Sequence, residues 1–345
     1  MSPRITWIDC WKGIAIISVV AGHILDLNIA KYIFLFHMPL FFFISGYLYQ
    51  ENHNYLSFFK KKFYRLIVPY ISFIILFSIP SYAEYIGEFW QTKQLDSLQE
   101  LLSLTFKLLY GGQILTGRFG VFWFVTCLFF TQQIYNFIYT KFGSEKWLIN
   151  IIMLDAYFLA IIDYLLFKDF RFPWNINVVL MALPFYWLGH MEFQNKNILN
   201  LEKSLTIAGI TIIILPLLGQ IDLLQFTFDM KHRTYGIPII NLLIAISFIV
   251  IVQKIAQTIH KINFLDSATR EIGAASMAIM YLHQPIQMSL KKVSFLNEDI
   301  IRLIAALLIP YIFYKITINF SFTRKFLLGE FKKTSKIQLK SLSKV

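Results

Sequence analysis

The chain has 345 residues, of which 57% are hydrophobic and 15% are charged, and its mean hydropathy is +0.58. An average soluble domain carries roughly 25% charged residues, and it cannot hide this much apolar surface from water. Soluble globular and disordered classes are therefore excluded, and continuous rather than alternating apolar runs argue against a β-barrel. The net charge is +12, and the basic residues lie between the apolar runs and in the tail. We therefore expect these residues to set the membrane topology rather than to bind nucleic acid.

Apolar runs of about 20 residues predict an all-α, polytopic membrane helix bundle with about ten transmembrane helices. An amphipathic stretch is predicted at residues 95–109. The ten helices are predicted at residues 8–27, 32–49, 66–85, 119–139, 147–167, 174–193, 205–221, 235–252, 272–290 and 300–320. We assign residues 1–322 to one membrane domain and residues 323–345 to a basic cytoplasmic tail, placed beside anionic membrane lipids.

The short loops favour a cytoplasmic location for both termini, because more Lys and Arg residues then fall on the cytoplasmic side. The strongest single signal is the run Lys60-Lys61-Lys62 with Arg65. The first apolar run lacks a small-residue cleavage site, so we do not expect a signal peptide. Cys10 and Cys127 form neither a disulfide framework nor a metal-ligand pattern, and we expect no metal.

The first predicted helix carries three ionisable residues, which are costly in a membrane and by default indicate function. Lys12 and His23 are eleven residues apart, about three turns, so they face the same way roughly 16 Å apart along the axis. Asp9 lies three residues before Lys12, within pairing distance. The alternative for Lys12 is a snorkelling side chain that only follows the charge rule.

The second predicted helix places His37 at about the depth of His23, and the short turn makes the two helices neighbours. Imidazole suits proton transfer near neutral pH, so we predict His23, Lys12 and His37 as catalytic residues. Ser45 and Tyr47 follow on the same helix as candidate substrate-binding residues. Ser45 and Gly46 are also typical of close helix packing, which is the alternative explanation for them.

Further candidates for substrate binding occur in two later segments. Arg118 and Trp123 follow a glycine-containing outer loop that lacks the Lys-Ser/Thr of a phosphate loop, and they are candidates for an outer sugar site. The ninth predicted helix contains Tyr281 and His283. Capping and core packing are the alternatives for these four residues. Asp155 and Asp163 are buried-acid candidates without an evident partner.

These residues also carry a family resemblance. The segments that carry it are Asp9-Cys10-Trp11-Lys12-Gly13-Ile14-Ala15, Val19-Val20-Ala21-Gly22-His23 and Phe36-His37-Met38-Pro39-Leu40-Phe41-Phe42-Phe43-Ile44-Ser45-Gly46-Tyr47. They resemble the opening of acyltransferase family 3, and most of all its branch related to fucose 4-O-acetylase. Weaker matches are 62–70, 122–124 and Ser276 through Pro285, so the resemblance covers almost the whole chain.

The resemblance implies a ten-helix O-acyltransferase of the bacterial cytoplasmic (inner) membrane. Such proteins move acetyl from cytoplasmic acetyl-CoA to hydroxyls of surface glycans, here a polysaccharide or its lipid-linked precursor. It implies that His23 is the essential catalytic residue and that Lys12 is its partner. The family usually has Arg where this chain has Lys12, so the bidentate fork is absent and a single ammonium remains to bind phosphate. We expect Lys12 and Asp9 at the donor-binding end.

Two mechanisms and three other functions remain open. His23 acts either as a general base on the sugar hydroxyl or as the carrier of an acyl group. A polysaccharide exporter or flippase, a glycan polymerase and a purely structural membrane protein are the alternatives. The paired histidines with Lys12 argue against an exporter or flippase, and the mostly short outer loops argue against a polymerase. The cost of burying charge argues against a purely structural protein.

Overall fold

The computed structural model describes residues 6–93, 95–195, 198–218 and 228–331. In these ranges the chain is helical throughout apart from short connections, and one isolated bridge joins Asp229 to Thr234 without forming a strand. Seven helical segments of the described residues are long and apolar enough to cross a membrane. The prediction of an all-α, multi-pass membrane protein is therefore confirmed, and the count of ten remains a prediction.

The fifteen α-helices of the described residues follow one another closely. In chain order they are α1 Trp7–Ile24, α2 Leu27–Phe34, α3 His37–Tyr47, α4 Tyr55–Lys62, α5 Val68–Thr92, α6 Leu95–Tyr110, α7 Trp123–Phe142, α8 Lys146–Leu166, α9 Val179–Asn195, α10 Leu201–Leu218, α11 Ile240–Ile259, α12 Asn263–Ala274, α13 Ser276–Leu290, α14 Asp299–Thr317 and α15 Ser321–Leu328.

Each predicted helix has a counterpart, but two of them are interrupted. The counterparts of the sixth and eighth predictions, α9 and α11, begin later than predicted, at Val179 and Ile240. The second prediction is divided into α2 and α3, with a break at Leu35 and Phe36. Pro39 explains the break, because its ring would meet the carbonyl of residue 35 in a continuous helix. The ninth prediction is divided into α12 and α13 at Ala275. The amphipathic stretch is α6, and the predicted end of the seventh helix at residue 221 lies outside the described residues.

A π-helical turn, Phe63–Ile67, joins α4 to α5. The wider i→i+5 turn is rare and occurs mostly as single turns, frequently at functional sites. Here the turn contains Arg65 and directly follows Lys62. The turn therefore sets the angle between α5 and α4, whose last three residues are the basic run Lys60-Lys61-Lys62.

Glycine pairs allow the helices that carry the candidate residues to cross at backbone distance. At the crossing of α3 and α9, a Cβ on Gly46 would lie 1.8 Å from the carbonyl oxygen of Tyr186, and one on Gly189 would lie 2.0 Å from that of Phe43. The crossing of α1 and α12 uses Gly13 and Gly273 in the same way. The close-packing explanation for Gly46 is thus confirmed, and these crossings fix α1 and α3 within the bundle.

We expect Gly46→Ala to destabilise the fold, because α3 and α9 must separate to admit a methyl group. The melting temperature of the detergent-purified protein should fall by about 5 °C or more. Gly87→Ala is the matched control. No atom lies within 4 Å of a Cβ at Gly87, so this change should leave stability unchanged or raise it through helix propensity. Equal melting temperatures for the two variants would contradict the crossing.

The C-terminal part of the described chain folds back onto the bundle. Helix α15 begins at Ser321 and packs against α5. Leu328 is buried, and the hydroxyl of Thr323 donates to the carbonyl of Thr317 at the end of α14. The predicted boundary at residue 322 falls inside α15. Residues 332–345 of the predicted tail lie outside the described residues.

Candidate functional site

A cavity of about 780 Å³ runs through the bundle beside α1. Lys12 and His23 both line it, as expected for residues three turns apart on one helix face. His23 is exposed even though it lies in the first spanning helix, because the cavity reaches its imidazole. The Lys12 ammonium lies 3.5 Å from a carboxylate oxygen of Asp9, so the predicted pair on the first turns of α1 is present.

Three helices bring histidines together at one level of the cavity. The ring of His283, on α13, lies 5.4 Å from that of His23 between centroids. The third histidine is His37, on α3, and Phe34 lies between it and His23. The ring centroid of Phe34 is 6.1 Å from that of His23 and 5.2 Å from that of His37. His37 lines the cavity with His23, whereas His283 is fully buried behind it.

Hydrogen bonds to backbone carbonyls hold two of these rings in a defined tautomer. His37 Nδ1 lies 3.0 Å from the carbonyl oxygen of Ile33, and His283 Nδ1 lies 2.8 Å from that of Ile279. A carbonyl only accepts, so each Nδ1 carries the proton and each neutral ring keeps a lone pair on Nε2. His283 Nε2 is buried and has no hydrogen-bond partner among the described residues. An orphan acceptor therefore lies in the ring that packs against His23.

One end of the cavity, which we call the cationic end, carries Lys12, Lys61, Lys62 and Arg65. Trp11 packs edge-on against Tyr47, so the start of α1 lies beside the end of α3. The chain then continues through Gln50, which also lines the cavity, to α4 and the π-helical turn. Four basic side chains at one end of the cavity can bind a ligand with several phosphates.

The other end, which we call the loop end, is formed by Thr116, Gly117, Asp229, Lys231 and His232. The Lys231 ammonium donates to the carbonyl of Leu115 at 2.7 Å, which joins the two loops. Burial raises the pKa of Asp229, but hydrogen bonds from His232 outweigh burial and hold this pKa below its ordinary value. Burial lowers the pKa of Lys231, and the carboxylate of Asp229 partly offsets this. The loop end therefore offers a carboxylate, an ammonium and an imidazole to a polar ligand.

An ion pair anchors the loop that contains Asp229. Arg233 is 2% exposed, and its guanidinium donates to Asp163 at 3.2 Å and to the carbonyls of Phe167, Lys168 and Phe170. Asn177 donates to the same carboxylate at 2.7 Å. Asp163, a buried acid without an evident partner in the sequence, thus has a structural role.

The middle of the cavity is less polar. Gln132 on α7 donates to the hydroxyl of Ser45 at 2.8 Å, and both residues line the wall. Trp123 lines it as well. The remaining wall includes five methionines with adaptable, unbranched side chains, namely Met38, Met230, Met277, Met280 and Met288. Within the described parts of the chain, no group of three or more His, Cys, Asp or Glu side chains could hold a metal ion.

The family profile of an acyltransferase domain matches residues 5–319, which is nearly the whole chain and includes both ends of the cavity. The chain belongs to this acyltransferase family. No curated protein and no solved structure matches the acyltransferase chain. Membership supports acyltransferase activity in a membrane setting, and the residues that perform it have to be argued from the geometry.

The acyltransferase cavity includes some of the predicted site residues and not others. Lys12, His23, His37, Ser45 and Trp123 line it. Asp9 is paired with Lys12 but is not part of the wall. The assigned roles of all these residues remain predictions.

The other candidates lie in the surrounding packing. Tyr47 packs against Trp11 and Phe193, and Tyr281 lies between Phe73 and Phe122. Arg118 donates to the carbonyl of Phe77 and the hydroxyl of Ser81 on α5. These three do not line the cavity, so their positions match the capping and core alternatives.

Sequence reasoning did not assign either end of the acyltransferase cavity completely. In the sequence, Lys61, Lys62 and Arg65 indicate orientation only, because they lie far along the chain from Lys12 and only the fold brings them to the same cavity. Asp229, Lys231 and His232 gave no signal, because a loop with mixed charge is usual at a membrane surface. Only the fold shows that both groups reach the cavity that contains His23.

Proposed function

We propose that this acyltransferase moves an acetyl group from cytoplasmic acetyl-CoA to a hydroxyl of a cell-surface polysaccharide or its lipid-linked precursor. The observation that carries the proposal is the position of His23. Its ring lines one cavity that has four basic side chains at one end and a polar loop at the other. A donor and an acceptor can therefore approach the same imidazole from opposite ends.

The cationic end suits the phosphates of coenzyme A. Lys12 binds phosphate as a point charge. Arg65 adds a planar guanidinium that can donate two parallel hydrogen bonds to phosphate oxygens. From Lys12 to His23 the helix rises roughly 16 Å, a length that an extended pantetheine arm can follow along the cavity. The thioester then lies beside the histidine cluster. A cytoplasmic cationic end also agrees with the expected orientation of both termini.

The proposed chemistry needs one base beside the thioester. A ring nitrogen of His23 accepts the proton of the sugar hydroxyl while the oxygen bonds to the acetyl carbonyl carbon. The carbon–sulfur bond breaks, and the leaving thiolate of coenzyme A takes the proton from His23. In the alternative route a ring nitrogen of His23 attacks the acetyl carbonyl carbon, the carbon–sulfur bond breaks and coenzyme A leaves as a thiolate. The sugar oxygen then bonds to the same carbon, the carbon–nitrogen bond to His23 breaks, and the hydroxyl proton passes to the thiolate. Labelled acetyl-CoA without an acceptor would leave label on the protein only by the second route.

The test uses the purified full-length protein with acetyl-CoA and surface glycan from cells that lack the gene. We expect release of free coenzyme A and a glycan heavier by one acetyl group per modified unit. A fucose 4-O-acetylase-like activity would place that group on a 4-hydroxyl. In intact bacteria, deletion should remove the acetyl groups from a polymer of normal length. A lost or shortened polymer would instead indicate the exporter or polymerase and overturn the proposal.

Donor binding at the cationic end gives a separate prediction. Replacing both Lys62 and Arg65 with Gln should raise the KM for acetyl-CoA by about 100-fold or more while changing kcat little, because charged hydrogen bonds contribute about 1.5–3 kcal/mol each. Lys60→Gln is the matched control, since Lys60 is exposed and does not line the cavity. Steady-state kinetics at fixed glycan would check this. The same KM in the double variant and the control would refute donor binding at this end.

A further inference from the structure

The C-terminal segment that follows α14 packs on the π-helical turn that carries Arg65, one of the four residues of the cationic end. Gly329 ends α15 with φ of 63°, and a Cβ at this position would lie 2.4 Å from the carbonyl oxygen of Arg65. Two residues later, the ring of Phe331 lies 4.8 Å from that of Tyr64 between centroids. Both contacts are made to the π-helical turn Phe63–Ile67.

This turn has two sides with different surroundings. Arg65 and Leu66 line the cavity, while the Arg65 backbone and the Tyr64 ring face residues 329–331. A π-helical turn is less favourable than an α-helical one and persists where its surroundings hold it. The segment is itself held firmly. Leu328 is buried, and the guanidinium of Arg324 donates to the carbonyl of Ile318.

We propose that residues 329–331, which we call the C-terminal brace, are a positioning element for the donor site. The brace supports the π-helical turn from behind and thereby sets where the Arg65 guanidinium enters the cavity. This inference rests on the proposed function, because it treats the cationic end as the site of the donor phosphates. Gly329 and Phe331 act through Arg65 and do not themselves line the cavity.

The positive φ and the close approach to the Arg65 backbone make Gly329 the most sensitive position of the brace. Gly329→Val must push the brace away from the turn, and Phe331→Ala removes the ring that packs on Tyr64. Phe326→Ala is the matched control, because Phe326 lies in α15 and outside the brace. Its ring is 43% exposed and packs against Phe322 of α15 itself.

The test measures KM, kcat and melting temperature for full-length variants with acetyl-CoA as donor. We expect Gly329→Val and Phe331→Ala to raise the KM by about tenfold with little change in kcat, because a small displacement of a positioned charge is costly. Phe326→Ala should leave both constants unchanged. Where Gly329→Val yields too little protein, Phe331→Ala carries the comparison.

A double-variant cycle separates positioning from general stabilisation. If the brace acts through Arg65, then adding Phe331→Ala to Arg65→Gln should raise the KM no further. Fully additive effects, or a lower melting temperature with an unchanged KM, would overturn the proposal. Isothermal titration of the wild type with coenzyme A distinguishes the two levels of failure. A wild type that neither binds coenzyme A nor turns over contradicts the proposed function, whereas an active wild type with unaffected brace variants contradicts only the brace.

Discussion

Replacing His23 with Ala is expected to abolish acetyl transfer while leaving the protein folded and inserted. The side chain lines the cavity and is not packed into the core, so its removal costs little stability. A positioned general base contributes about 10²–10⁴-fold to the rate, and loss of an acyl carrier would remove turnover altogether. Coenzyme A release in the presence of glycan is the measurement.

His53→Ala is the control for this experiment. The side chain of His53 is 77% exposed and pairs with Glu51 on the surface, away from the cavity. It should retain wild-type turnover and the same amount of protein in the membrane. Full activity of the His23→Ala protein would refute the catalytic assignment, whatever the control shows.

The second large effect is expected at His283, through its orphan Nε2. A buried acceptor without a partner costs about 1–3 kcal/mol, and the adjacent polar ring is that of His23. When His23 has taken a proton from the sugar hydroxyl, its ring is an imidazolium. A lone pair on His283 Nε2 can stabilise that positive charge. We therefore predict a positioning and electrostatic role for His283 beside the base. The substrate contact predicted from the sequence does not fit its position, because His283 does not line the cavity.

Two substitutions separate the ring nitrogens of His283. Asn keeps a group at the Nδ1 position, which donates to Ile279, and loses the Nε2 acceptor, whereas Gln places an amide oxygen near Nε2. We expect His283→Asn to lower kcat by about 10–100-fold and His283→Gln to lose clearly less, with the KM for acetyl-CoA unchanged in both. Equal kcat losses in the two variants would indicate a packing role.

His190 shows why a buried histidine alone is an ambiguous signal. It lies in α9 and is 5% exposed, but Nδ1 pairs with the hydroxyl of Tyr135 and Nε2 with the amide of Gln194. Both nitrogens are satisfied, so this ring is part of the packing. His283 is buried in the same kind of sequence and has one unsatisfied nitrogen. The difference depends on partners up to 55 residues away in the chain, which composition and spacing do not reveal.

The helices themselves were largely predictable, because continuous apolar runs have few alternatives in a membrane. The interruption at Leu35 was foreseeable from Pro39, and the division at Ala275 was not. The π-helical turn was also invisible, since its five residues have ordinary helix-forming character and the wider turn depends on packing. Local pattern thus predicts where helices lie, and tertiary contacts decide how they are joined.

The site was predicted along one helix and missed across helices. The eleven-residue spacing from Lys12 to His23 is a local property, and both residues line the cavity. Arg233 and Asp163 are 70 residues apart in the chain, so only the fold reveals that they form an ion pair. The basic run around Lys62 has two possible uses, topology and ligand binding, and the sequence does not distinguish them. A lysine that obeys the charge rule can still belong to a site.

The shape of the cavity also affects how much of the acyl donor is lost to hydrolysis. Exposed residues line it at both ends, Lys61 at one and His232 at the other, so water enters along with the substrates. A base that activates a sugar hydroxyl activates a water molecule equally well, and hydrolysis of the thioester then competes with transfer. Selectivity for sugar over water therefore cannot come from the imidazole. On the proposed mechanism, we expect it to come from how completely the sugar fills the space around Asp229 and Lys231 before the thioester reacts.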